Sequence, residues 1–159
     1  MCNVKHYYSL SRGESREITK LYRNGMEYLD PVLHVSFDRY FRDCLDQYMQ
    51  YMFHFGVDNT LNLNAFTNAH DDMEDMLSEL ESFGLIDDIE ETRDELVSVV
   101  ITHNDVRRIL GRLGEQSSKR AIRHLLGGRI AFNSKFTSFT VDVPKEHRKR
   151  GHRNGFKVV

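Results

Sequence analysis

The sequence predicts a mainly α fold with two short β-hairpins, an α+β domain, on three observations. Phe37, Tyr40, Phe41, Cys44, Leu45, Tyr48, Met49, Met52 and Phe53 follow i, i+3 and i+4 steps for five turns, and only a helix gathers such a series onto one face. Two shorter stretches alternate instead: Val97, Val99 and Ile101, and later Phe139, Val141 and Val143, as half-buried strands do. Turn-forming residues fall at the joints between these stretches, at Asp30-Pro31, Gly84, Gly114 and Gly127-Gly128.

Taken in order, Gly13 to Leu29 carries Ile18, Leu21, Tyr22 and Leu29 at helical spacing, with Ser11 or Ser15 as cap and Gly25 weakening the last turn. Asp30-Pro31 breaks this helix, because a residue before proline is pushed out of the α region. Ser36 is expected to cap the long-striped helix, whose flanking Tyr51 and Phe55 suit a homodimer interface. The polar stretch Gly56 to Asn64 resembles a calcium loop at Asp58, Asn62 and Asn64. It fails at Leu63 and Ala69, where glycine and glutamate are needed. Asp71 to Phe83 reads as a helix with Met73, Met76, Leu77, Leu80 and Phe83 inward and Asp72, Asp75, Glu79 and Glu81 outward. A hairpin is expected next, Leu85 to Glu90 out, Thr92-Arg93-Asp94 as turn, Glu95 to Ile101 back. Asn104 then caps a helix with Val106, Ile109, Leu110 and Leu113 on one face, ended by Gly114. Ser118 to Leu126 makes a second helix with Ala121, Ile122 and Leu125 inward and Lys119, Arg120 and Arg123 outward. The second hairpin runs from Arg129-Ile130-Ala131-Phe132 through the turn Asn133-Ser134-Lys135 to a strand from Phe136 to Val143.

A chain of 159 residues, 40% apolar and 29% charged with two prolines, suits one soluble core. We divide it into a compact domain over 1–143 and a basic flexible tail over 144–159. Within the domain, 1–56 is a helical scaffold, 57–103 an acidic helix and hairpin, and 104–143 a basic helix-turn-helix with its hairpin. No run reaches the roughly 18 apolar residues of a membrane span, and Met1 to His6 lacks a signal-type apolar segment, so the expectation is cytoplasmic with no membrane partner. Cys2 and Cys44 are too few for the usual structural zinc site, and neither disulfide, metal nor cofactor is expected. Charge is segregated along the chain. Residues 1–56 hold seven Lys/Arg and seven Asp/Glu, 57–103 hold Arg93 against thirteen carboxylates, and 104–159 hold fourteen Lys/Arg against four. A positive surface of that kind attracts phosphate polyanions whatever the total charge, unless the fold sets the two segments against each other.

Leu77 to Ile86, Arg93-Asp94 and Leu96 to Thr102 resemble the helix, Gly-Leu-Ile, wing and strand of the winged-helix superfamily, particularly MarR-type regulators. Asn104 to Val143 is similar to a second winged unit, the two sharing one core. In that family the helix before Gly-Leu-Ile enters the DNA major groove. Here that helix is acidic and would repel phosphates, so only Arg93, at the wing tip, is carried over from it. In the second unit the resemblance implies contacts from Ser117, Ser118, Lys119, Arg120 and Arg123 in a groove and from Arg129 and Lys135 along the wing. Arg148, Lys149 and Arg150 of the tail would lie on phosphates.

The function expected is therefore that of a non-enzymatic regulator of transcription or replication that binds double-stranded DNA. The alternative is an inhibitor or adaptor of phage or mobile-element type, whose acidic face, Asp72, Asp75, Glu79 and Glu81, imitates nucleic acid before a protein partner. A nuclease is suggested only by His103-Asn104-Asp105 and by His147 and His152. The chain has no HExxH, phosphate-binding glycine loop or nucleophile elbow, and no catalytic residue is assigned.

Overall fold

The long apolar stripe becomes the axis of the molecule. In the computed structural model, which describes residues 3–55, 66–100, 108, 111–112 and 128–144, Phe37, Tyr40, Phe41, Cys44, Leu45, Tyr48 and Met49 are all buried along one helix. The chain is mostly helical with a small antiparallel sheet. It runs β1 (Asn3–Ser9), α1 (Arg12–Tyr28), a 3-10 turn (Pro31–Leu33), α2 (His34–Phe55), α3 (Thr67–Ser82), α4 (Ile89–Val100), β2 (Arg129–Phe132) and β3 (Ser138–Pro144).

Local chemistry sets the boundaries. Ser11 and Glu14 form a reciprocal capping box at the start of α1: the Glu14 amide donates to Ser11 Oγ at 3.1 Å and the Ser11 amide to Glu14 Oε1 at 2.9 Å. Helix α1 continues through Gly25, and glycine is required there because the ring of Phe37 lies where a β-carbon would stand, with two ring carbons 2.8 and 2.9 Å from that position. The expected cap Ser36 is instead buried inside α2. Asp30 takes the role, its Oδ1 accepting from the Val32 amide at 3.0 Å, and Pro31 opens a 3-10 turn that leads directly into α2. Helix α3 begins at Thr67, ahead of the expected Asp71.

The first expected hairpin does not form. Residues 89–100 are the helix α4, and Leu85 to Asp88 is the turn that enters it. Gly84, at φ 74°, closes α3 by donating to the Glu81 carbonyl at 2.9 Å. Asp88 then caps α4, its carboxylate accepting from the Glu91 amide at 3.2 Å and its carbonyl from the Thr92 amide at 3.1 Å. Glu90 and Glu91 in the first turn favour a helix N-terminus. Leu96 and Val100, one turn apart, are the buried pair. Arg93 is therefore no wing tip; it projects from a helix and pairs with Glu74 of α3 at 3.2 Å. Residues 89–100, within the segment that carried the MarR-like wing, are helical.

The sheet has the order β1-β3-β2, both pairings antiparallel. Strand β1 was not expected, and among the described residues there is one hairpin, β2–β3, where two were expected. Phe139, Val141, Val143 and Ile130 are buried on the inner face, with Tyr8 stacked on Phe139 and Phe132 tilted against it at ring distances of 5.5 and 5.4 Å. The outer face carries Lys5, Tyr7, Thr140, Asp142, Arg129 and Ala131, with Lys5 opposite Asp142 and Asp142 opposite Arg129. In the connecting turn Asn133 is the staple, its Oδ1 accepting from the amides of Thr137 at 2.8 Å and Ser138 at 3.2 Å. Phe136, expected to open the strand, stands in the left-handed region at φ 58°, and the strand begins at Ser138. Arg108, Gly111 and Arg112 are helical, inside the helix expected from Asn104. The calcium-like loop, the second helix Ser118 to Leu126 and the tail beyond Pro144 lie outside the described residues.

Candidate functional site

Helix α2 has a second face. Asp43, Asp46, Gln47 and Gln50 repeat at i, i+3, i+4 and i+7, a polar stripe beside the apolar one. It meets the edge of β2. The Asp46 carboxylate accepts from the Phe132 amide at 2.9 Å, and Gln50 accepts from the Ile130 amide at 2.8 Å while donating to the Gly128 carbonyl. Gln47 reaches the other way and accepts from the Ala69 amide at 3.0 Å, next to the start of α3. Between α2, α3 and the outer face of the sheet these side chains leave a groove of about 670 Å³. One wall holds Asp43, Asp46 and Asp72; the other holds Lys5, Arg129, Thr140 and Asp142.

The groove is electrostatically tense. Burial, opposed in part by the Phe132 amide, pushes the Asp46 carboxyl up to about 7. Asp43 is raised to about 6 by burial and by its hydrogen bond and charge against Asp72, with Arg39 pulling the other way. Two carboxyls on facing helices oppose each other's ionisation, which is the second cause, after burial, of the rise at Asp43. Arg39 Nε lies 3.8 Å from Asp72 Oδ2 and tempers the pair from the open side. Among the described residues no group of three or more His, Cys, Asp or Glu is arranged to hold a metal ion.

The residues expected to carry function divide into three sets. Ser117, Ser118, Lys119, Arg120, Arg123, Arg148, Lys149 and Arg150 lie outside the described residues. Arg129 and Lys135 are exposed, but apart in role: Arg129 lines the groove across from the aspartates, and Lys135 sits in the hairpin turn. Of the acidic set, Asp75, Glu79 and Glu81 are exposed on α3, whereas Asp72 is half-buried and turned into the groove against Asp43 and Arg39.

Two features escaped the sequence. The groove was legible only as the polar stripe on α2, since Asp43 and Asp72 belong to different helices. The other is the outer face of α1, where Arg12, Arg16, Lys20 and Arg23 are all exposed. A count over residues 1–56 balances these cations against acids of which only Glu27 shares their surface. Glu17, to one side of them, is held by Arg108 at 3.0 Å and by Arg112. Burial works to raise its carboxyl, and the two guanidiniums outweigh that and leave it below its usual range.

No protein-family model, curated protein or solved structure matches the chain. Among the described residues no helix is long and apolar enough to cross a membrane.

Proposed function

We propose that this chain is a non-enzymatic DNA-binding regulator, of transcription or replication, which holds the duplex through its basic portion, residues 104–159. The observation that carries this reading is the fourteen Lys/Arg against four Asp/Glu in those 56 residues, since neutralised phosphates supply most of the affinity for DNA. Residues 104–126 act as helix-turn-helix, with Lys119, Arg120 and Arg123 toward the groove, and the β2–β3 hairpin acts as the wing, its exposed Lys135 on the neighbouring backbone. The tail adds phosphate contacts. Fluorescence anisotropy with a mixed-sequence duplex at two salt concentrations tests it: affinity should fall steeply with salt and collapse in Arg120→Ala/Arg123→Ala. Absence of binding at low salt would remove the reading.

One observation favours a second reading, a protein partner on the acidic side. In the turn from α3 to α4, Phe83 is 72% and Leu85 54% exposed, among the exposed acids Glu79, Glu81 and Asp87. Large apolar side chains ringed by charge are typical of a protein contact. Here Phe83→Ser and Asp75→Lys/Glu79→Lys should abolish an activity that survives in Arg120→Ala/Arg123→Ala.

A further inference from the structure

We propose that the outer face of α1 is a second phosphate-binding surface of the same DNA interface, an inference that rests on the proposed function and extends it to residues outside the basic portion. Arg12, Arg16, Lys20 and Arg23 stand at i, i+4, i+8 and i+11, which places all four on the side of α1 opposite Ile18, Leu21 and Gly25. At 1.5 Å per residue they span about 16 Å, the axial rise of about five base-pair steps.

A solvated face does not explain this arrangement. Among the described residues Arg39, Arg42, Arg93, Arg108 and Arg112 each have a carboxylate within 4.0 Å, while none of the four α1 cations does, a state they share with Lys5, Arg129 and Lys135. Arg12 and Arg16 stand one turn apart, as do Arg16 and Lys20, and like charges at that spacing destabilise a helix. They are also at the wrong end. Arg12 and Arg16 stand near the positive pole of the helix dipole, and the last turn, where cations stabilise, has none. A charge pattern that opposes its own helix on two counts is expected where an external anion compensates it.

The surroundings identify the anion. Thr19 and Asn24 line the same surface as the cations, and Ile18, Leu21, Tyr22 and Met26 of α1 pack into the core, so the cationic face itself carries no apolar wedge for a lipid surface. Arg108 and Arg112 come from the basic portion and meet α1 at Glu17. Two guanidiniums on one carboxylate leave a positive excess there, so the positive surface of α1 continues to Arg108 and Arg112. The occupant is the phosphate backbone of duplex DNA, with α1 along the strand beside the groove engaged by the basic portion. Glu27, the single acid sharing this surface, marks its C-terminal limit.

The test uses the full chain and compares wild type, Arg16→Gln/Lys20→Gln, Arg16→Glu/Lys20→Glu and Glu27→Gln. Circular dichroism and thermal unfolding check the fold, and log affinity for a mixed-sequence duplex is followed against log salt. Each phosphate contact contributes about 0.9 to the slope, so the double Gln variant should lose about 2 from it and bind at least tenfold more weakly at about 0.1 M salt. The double Glu variant should be weaker still, and Glu27→Gln tighter than wild type. Wild-type binding with an unchanged slope in both double variants would overturn the inference and leave the proposed function standing. Failure of wild type to bind would overturn both. Loss of binding to phosphatidylserine vesicles in the double variants, with DNA binding intact, would assign the face to a membrane and equally overturn it.

Discussion

Single positions in this fold are held by neighbours remote in sequence. Gly25 sits under the ring of Phe37, which is fully buried. Replacing glycine by alanine inside a helix ordinarily gains about 1 kcal/mol, but here the new methyl group displaces that ring, and overpacking costs about 1–3 kcal/mol. Gly25→Ala should therefore lower stability by up to about 2 kcal/mol, read as a lower urea midpoint at unchanged m. Asp46 gives a second test. Its folded carboxyl is raised to about 7 from an ordinary 3.8, so the folded state holds a proton that the unfolded chain has released. Stability should fall as pH rises from about 4 to about 7 and stay reduced above that. Asp46→Asn keeps an acceptor for the Phe132 amide and removes the titration. Its stability curve should be flatter over that window and lie above wild type at pH 8 by about 1–2 kcal/mol, allowing for solvent screening of a half-buried group. Asp43 moves in the same direction, so some slope remains. An unchanged curve would mean that Asp46 is ionised in the folded state at no cost.

At the scale of elements, α4 is the sharpest departure from the sequence reading, and its cap is the place to probe it. Asp88→Ala removes the acceptor for the Glu91 amide and should cost about 1 kcal/mol, whereas Asp87→Ala, one residue earlier and exposed, should cost little. Equal effects would deny Asp88 the capping role. The error that α4 exposes is physical. Val97, Val99 and Ile101 alternate with period 2, yet Leu96 and Val100 repeat at one helical turn, and a run this short satisfies both periods until capping and packing against α3 choose. Helix α2 was legible because five turns of apolar residues fit one period alone, and α1 because Ser11 and Glu14 write a capping box. Strand β1 was not, since its partner β3 lies near the other end of the chain and its inward residues, Val4, His6 and Tyr8, include a histidine. The turn was half legible: Asn133 announced it, but nothing local says that Phe136 must adopt a positive φ. Such a residue costs about 1–2 kcal/mol, and Phe136 is kept there by burial against Phe41 and Tyr22 and by the Arg42 guanidinium 4.5 Å from its ring centroid. The groove and the cationic face of α1 share one cause of obscurity: each is a product of angular position, which counts along the chain average away.

Taken whole, the molecule is a helical body with a three-stranded sheet whose outer strands need different protection. Strand β1 stands at one edge and pairs with β3 over seven residues, Asn3 to Ser9. The other edge, β2, is closed by α2, whose Gln50 and Asp46 take the amides that a fourth strand would take. This keeps the β2 edge from presenting an open ladder to another copy of the chain, and it makes the groove structural as well as electrostatic, because the same side chains line it. Gln50 is the place to separate the two roles. Gln50→Ala leaves the Ile130 amide and the Gly128 carbonyl without this partner, which should cost about 1–3 kcal/mol, and it frees the β2 edge, so sedimentation should show association that rises with concentration. Gln50→Glu retains an acceptor for Ile130 and loses the donor to Gly128. It should unfold between wild type and the alanine variant and stay monomeric at neutral pH, while its new charge beside Asp46 lifts that carboxyl further. Association by both variants alike would mean that bulk at position 50, rather than the hydrogen bond to Ile130, guards the edge.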